Sequence, residues 1–323
     1  LTLVAGSGSE TVRVPEISSK PYYRLAPMES IGIIDKILGL LLLLIGGSVS
    51  GWAEEGASKD RQAVQDSLLF HASFDQGPDA DFATGSKVLY SGDRKAPDTD
   101  LPPDGSIVIA PKEGKFGGAL HFTPASETYV FYEGKGNLGF REKDWSGSCS
   151  LWLRLNPDED LTPGQYCDPL QFVAQAWGEG NMFIEFSKDH TPRHFRYALL
   201  PVTRLWNPET RGWEEIPEME RPMVPVHAPP FTRESWTHIV FAFGNANTGK
   251  KDGWGKLYLD GQPMGEFSGF ESTFNWEIEK SALTLGLNYI GWIDDVAVFD
   301  RALEDDEVLT LYGLQQGVSE LKK

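Results

Sequence analysis

Three of the ten tryptophans stand outside apolar runs: Trp206 and Trp213, which bracket Asn207-Pro208-Glu209-Thr210-Arg211-Gly212, and Trp254 in a glycine-rich loop. Sugars stack their apolar faces on such indoles while nearby polar groups bond their hydroxyls, so these three are candidate ligand contacts. The alternative is that Trp206 and Trp213 staple a stretch rich in Pro, Trp and charge, 188–233, onto the rest of the chain. Trp152, Trp177, Trp236 and Trp292 lie in strand-like runs and are assigned to the core. Glycoside hydrolysis with retention needs two carboxylates about 5–5.5 Å apart, which on one strand means acids at alternate positions. Met182–Ser187 carries a single acid, Glu185, with no partner two residues away, and the adjacent Asp294 and Asp295 must point to opposite faces. No catalytic residue is assigned. Gly244–Lys251 nearly spells a phosphate-binding loop, but Lys251 replaces the hydroxyl that would meet magnesium and a strand follows instead of a helix, so it reads as a turn-rich hairpin loop. Neither a Gly-x-Ser-x-Gly elbow nor a His-Glu-x-x-His pair is present, and the six histidines show no ligand spacing.

Elements must position these residues, and the composition says which kind. The chain has 323 residues with 40% hydrophobic and 12% aromatic content, 34 Gly and 21 Pro, which favours many short strands joined by turns. Lys+Arg number 29 against 47 Asp+Glu, a net charge of -18 that excludes nucleic acid and other polyanions as partners. Ile37–Ala53 has no charge and ends in small residues before Glu54-Glu55, the order of a secretory h-region with cleavage after Ala53. The expected organisation is a leader, 1–27, upstream of a start at Met28; a signal peptide or N-terminal anchor, 28–53; a linker, 54–66; a folded body, 67–313; and a tail, 314–323. The body is thereby placed outside the cytoplasm, secreted, periplasmic or on the cell surface, and touches a membrane only if the apolar segment is left uncleaved.

Short alternating or apolar runs bounded by Gly, Pro, Asn and Asp predict strands at 68–74, 107–110, 119–122, 129–132, 149–155, 170–177, 182–186, 195–202, 236–243, 256–259, 283–287 and 292–299. Only Glu304–Tyr312 reads as a helix, with acids in its first turn and Gly313 beyond its end. The run 236–243 is apolar on both faces, as in a strand covered on both sides, and Asp260-Gly261 signals a tight hairpin. With no βαβ rhythm, these features predict an all-β fold of two packed antiparallel sheets.

Six segments, SLLFHASFDQG (67–77), GKFGGALHF (114–122), SGSCSLWLRLNP (146–157), WTHIVFAF (236–243), GKLYLDGQPMG (255–265) and WIDDVAVFDRALEDDEVLTLY (292–312), together resemble the strand motifs of the concanavalin A-like lectin/glucanase superfamily. More narrowly they resemble the laminin G-like jelly-roll domain of secreted bacterial proteins. The resemblance implies a jelly-roll sandwich whose first and last strands are neighbours, with 188–233 as an insertion. The Glu-x-Asp-x-Glu pattern of β-glucan-cleaving enzymes with this fold is absent. In similar domains acids at the ends of those strands hold a structural calcium, which makes Asp75 and Asp294 candidate ligands; the alternative is an Asx-type turn at Asp75 and a satisfied polar group at Asp294. Cys149 and Cys167 would close a disulfide loop of about 18 residues, worth roughly 3 kcal/mol, if strand pairing brings them together. The expected function is an exported, non-catalytic module that binds a glycan or cell-surface polymer. A protein-binding adhesion role and glycoside hydrolysis are the alternatives.

Overall fold

The computed structural model describes residues 59–124, 126 and 128–322; the leader, the apolar segment and residues 54–58 of the expected linker lie outside the described residues. A helix, α1, covers 59–66. The strands are β1 (Leu68–Ala72), β2 (Phe82–Ala83), β3 (Tyr90–Ser91), β4 (Ile107–Ala110), β5 (Ala119–Phe122), β6 (Val130–Glu133), β7 (Trp145–Arg154), β8 (Cys167–Val173), β9 (Asn181–Phe186), β10 (Phe195–Leu200), β11 (Met223–Val226), β12 (Thr237–Ala246), β13 (Gly253–Leu259), β14 (Gln262–Phe270), β15 (Ala282–Leu287) and β16 (Gly291–Phe299). Short helices α2 (Pro157–Asp160) and α3 (Thr203–Trp206) interrupt them, and α4 (Asp305–Tyr312) follows.

These strands form two antiparallel sheets. The larger has nine strands in the order β14-β13-β12-β7-β16-β1-β2, with β5 also paired to β16 and β4 to β5; the smaller has seven, in the order β11-β10-β9-β8-β15-β6-β3. The expected sandwich is present, and its first and last strands are neighbours, His71 standing opposite Ala297. Between the sheets lies a core centred on the fully buried Trp145, whose ring meets Phe140, Phe243, Phe274 and Trp276 edge-on. The two-faced strand reading holds for β12: Ile239, Phe241 and Phe243 enter this core, while Val240 and Ala242 face the other way. There they meet Leu68, Tyr258 and Phe299 beneath Val308 and Leu311 of α4, so the larger sheet is covered on both faces. The Asp260-Gly261 hairpin is present, both residues having positive φ.

The structure departs from the sequence reading at several places. Residues 59–66 are not linker, because Val64 is fully buried in the outer cluster and Arg61 donates to Glu320. Nor are 314–322 a loose tail: Leu314, Val318 and Leu321 are buried beside Val64. β14 went unpredicted because its largely exposed face and its Pro263, Gly265 and Gly269 obscure a strand signal, as is common at a sheet edge. Trp177 is not a core residue; it begins a short 3-10 turn, Trp177–Glu179, and is 55% exposed. The expected disulfide is absent: Cys149 lies in β7 of the larger sheet and Cys167 in β8 of the smaller, and both are free and buried.

Titration of the native protein with a thiol reagent in denaturant should therefore count two reactive thiols, and reductant should leave the thermal midpoint unchanged. A midpoint that falls on reduction would mean a bridge.

Candidate functional site

Among the described residues, the outer face of the smaller sheet carries a groove walled by its own chain. Along β10, Phe195, Tyr197 and Leu199 point into the core, so Arg196, Ala198 and Leu200 must point outward. In β9 the same alternation sends Phe183 and Glu185 outward. β8 carries a register irregularity between Cys167 and Leu170, where Pro169, which cannot donate to the ladder, is accommodated beside Asp168.

The segment expected as an insertion does two things here. Its strands β10 and β11 extend the smaller sheet, and the intervening 201–222 folds back over the outer face. Asn207 closes the turn between the two tryptophans, its Nδ2 donating to Arg211 O at 2.8 Å and its Oδ1 accepting from Arg211 N at 2.9 Å. Trp206 and Trp213 consequently meet edge to face, with centroids 5.8 Å apart, and pack half-buried on Phe183, Ala198, Leu200 and Met223. The Arg221 guanidinium lies over the Trp213 ring at 4.5 Å.

Between this wall and the sheet is a groove of about 460 Å³, lined by Trp177, Trp206 and Trp213 together with Asp168, Gln171 and Glu185. A second cavity of about 760 Å³ shares Gln171, Trp177 and Leu287 with it and runs on to Tyr90, Arg94 and Phe131. The open face is thus crossed by a continuous trough, with aromatic surface at both ends. Its polar floor is organised by charge. Glu185 stands opposite Arg196, and the two pair at 2.7 Å while almost wholly buried. Gln171 Nε2 donates to Asp168 Oδ2, and Asp168 Oδ1 has no partner. The indole N–H groups of Trp206 and Trp213 and the Thr284 hydroxyl are also buried without partners. Burial, and then the charge of Glu185, hold the Asp168 carboxyl well above the usual carboxylate range; burial raises Glu185 too, against the pull of Arg196.

Of the residues singled out in the sequence, Trp206 and Trp213 come together in this groove. Trp254 does not: it lies on β13 of the other sheet, half-buried against the outer cluster. Its indole crosses Gly244, its partner on β12, where an added Cβ would come within 2.5 Å of the ring. Asp75 and Asp294 are both drawn to the turn Gly114–Gly118. Asp75 Oδ1 accepts from Gly118 N at 2.6 Å, and the buried Asp294 Oδ2 accepts from Phe116 N at 3.1 Å. Gly117 is obligatory in that turn, because a Cβ there would fall 2.0 Å from Asp75 Oδ1. Asp79 and Asp81 accept from the amides of Leu89 and Ser73. Carboxylates so occupied by N–H donors tie loops together, Asp75 Oδ1 and Asp294 Oδ2 each being taken by a backbone amide of that turn. Of the Gly244–Lys251 stretch, 244–246 complete β12 and 247–251 belong to the hairpin loop that leads to β13.

Sequence reasoning passed over Asp168, Gln171 and Trp177, and saw Glu185 without its partner. One signal was present: Glu185 and Arg196 are lone charges in adjacent apolar runs, and a hairpin turn between Ser187 and His194 places them opposite each other.

Comparison with known proteins gives a family and a fold. A family profile described as the concanavalin A-like lectin/glucanases superfamily, of laminin G type, matches residues 148–309. No curated protein matches the chain. Among solved structures, the binding domain of botulinum neurotoxin serotype D is similar at 12% identity, over 78% of this chain and 52% of its own, with a TM-score of 0.52. That of serotype C1 is similar at 14% identity, over 77% and 52%, with a TM-score of 0.50. The alignment thus takes in about half the length of these neurotoxin domains. Domain 4 of the extracellular arabinanase AbnA from Geobacillus stearothermophilus, solved in complex with arabinotriose, matches at 19% identity over 75% of this chain and 97% of its own, with a TM-score of 0.46. At these identities the likeness is one of fold.

Two outcomes follow from the carboxylates. A folded-state pKa raised above the unfolded value of about 3.9 means that the folded protein binds the proton more tightly, so Asp168 lowers stability as pH rises from about 4 through its folded pKa. Asp168→Asn should flatten that decline and raise the melting temperature at neutral pH by roughly 2–4 °C, read from thermal melts across pH. Melts in calcium and in chelator should coincide, and a midpoint raised by calcium would restore Asp75 and Asp294 as ligands.

Proposed function

We propose that the chain, which belongs to the concanavalin A-like lectin/glucanases superfamily, acts outside the cytoplasm as a non-catalytic module that binds a neutral carbohydrate polymer along the trough on its smaller sheet. The observation that carries this reading is the juxtaposition of Trp177, Trp206 and Trp213 with polar groups whose hydrogen-bonding capacity is unspent, Asp168 Oδ1 and the two indole N–H groups among them. Stacking surface next to fixed donors and acceptors is what a pyranose or furanose ring requires. The trough's continuation towards Tyr90 and Phe131, which stack on each other with centroids 5.5 Å apart, provides length for several sugar units. A net charge of -18 makes anionic polymers poor ligands. Placement outside the cytoplasm is supported by the apolar run ending at Ala53.

A second reading, glycoside hydrolysis, is favoured by one observation: two buried acids, Asp168 and Glu185, interact across neighbouring strands in the groove. Against it, the Arg196 ion pair neutralises Glu185, leaving Asp168 without a free carboxylate to share the work of cleavage.

Binding to immobilised neutral polysaccharides should be lost, by at least about tenfold in Kd (~1.4 kcal/mol), in Trp206→Ala and Trp213→Ala, and retained in Trp254→Ala. Equal loss in all three, or none, would remove the groove from the account. Release of reducing ends by the wild type that disappears in Asp168→Asn would replace the binding reading with the hydrolytic one.

A further inference from the structure

Beyond the groove, strand register gathers residues that the sequence keeps far apart. β10 and β11 pair with Phe195 opposite Val226, so one step outward His194 and His227 face each other across the strand ends. Their rings lie 4.4 Å apart between centroids. The 3-10 turn Glu218–Glu220 brings a carboxylate to the same place, with Glu218 Oε1 3.0 Å from His227 Nε2. One ligand atom each from His194, Glu218 and His227 falls within 4.8 Å of the others. His190 stacks on His194 at 3.7 Å and is itself held by Ser187 Oγ at 3.0 Å.

A His–Glu ion pair accounts for His227 and Glu218 but not for His194. His194 Nδ1 is buried with no hydrogen-bond partner, a condition folded proteins seldom leave standing. We propose that His194, Glu218 and His227 form a binding site for a divalent transition-metal ion of the zinc class. Two imidazoles and one carboxylate make a three-ligand set that zinc accepts with a fourth position left for water. Calcium and magnesium, which prefer oxygen throughout, are disfavoured by the two ring nitrogens. The ion would join Glu218, on the segment that covers the sheet, to the ends of β10 and β11, and so clamp the wall that carries Trp213. The site needs no sugar, and its success or failure is independent of glycan binding.

The test uses the untagged full chain, stripped with chelator and dialysed against zinc chloride, with bound metal counted by mass spectrometry. The expected result is one zinc per chain, lost in His194→Ala, His227→Gln and Glu218→Gln, and a wild-type melting temperature raised by zinc but not in those variants. Cobalt in place of zinc should give the visible absorption of a four-coordinate site. Wild-type protein holding no more zinc than His227→Gln would overturn the proposal. His227 is exposed, so that variant folds even if the half-buried His194 proves intolerant of change.

Discussion

An antiparallel sheet needs cover on only one face, and the distribution of cover decides where this protein can meet a ligand. The larger sheet is buried twice, inward against its partner and outward beneath α4 and the segment 314–322. That outer cover is tied down by polar contacts: Asp295 on β16 lies 2.7 Å from the buried His71 of β1 and accepts from Val318 N at 3.0 Å, joining first strand, last strand and C-terminal segment. The outer face of the smaller sheet lacks that cover over much of its width, and the groove with the Glu185–Arg196 pair on its floor lies there. A buried ion pair such as Glu185–Arg196 contributes little to stability compared with apolar residues of the same volume. Its placement on the floor of a trough between aromatic walls is better understood as positioning of donors and acceptors than as reinforcement of the fold.

The fold was largely legible, because burial imposes its period on the sequence. β12 shows this: alternate residues serve two different clusters, and a run apolar on both faces is the only pattern that can do so. The hairpin at Asp260-Gly261 was equally visible, since few residue pairs adopt two consecutive positive φ values. β14, polar and edge-placed, left no such trace. Residues 59–66 and 314–322 read as linker and tail because each holds only one to three apolar residues, which acquire a core only when the two ends meet.

The site was half legible. Trp206 and Trp213 could be picked out because they flank a turn and belong to no periodic run, and their mutual contact follows from the short spacing that Asn207 closes. Trp254 carried the same signature yet packs on the opposite layer, since local sequence does not say which sheet a strand joins. Asp168, Glu185 and Arg196 depend on the pairing of three strands, and the gathering of His194 with His227 on the pairing of two. Such relations belong to register, which a single chain encodes only through the whole of its packing. The expected disulfide that is absent has the same origin: spacing suggests proximity, but the strands that carry the two cysteines belong to different layers.

That assignment gives the molecule an uncommon property. Each layer carries one cysteine, each sulfur is inaccessible in the native state, and burial raises both thiols so that they stay protonated and unreactive. Both lie in the one core between the sheets, so an alkylating reagent can meet Cys149 only when that core opens around β7 and Cys167 only when it opens around β8. The two sulfurs therefore act as built-in clocks, one per layer, and the ratio of their labelling rates would report whether the sandwich comes apart as a single cooperative unit or one leaf at a time.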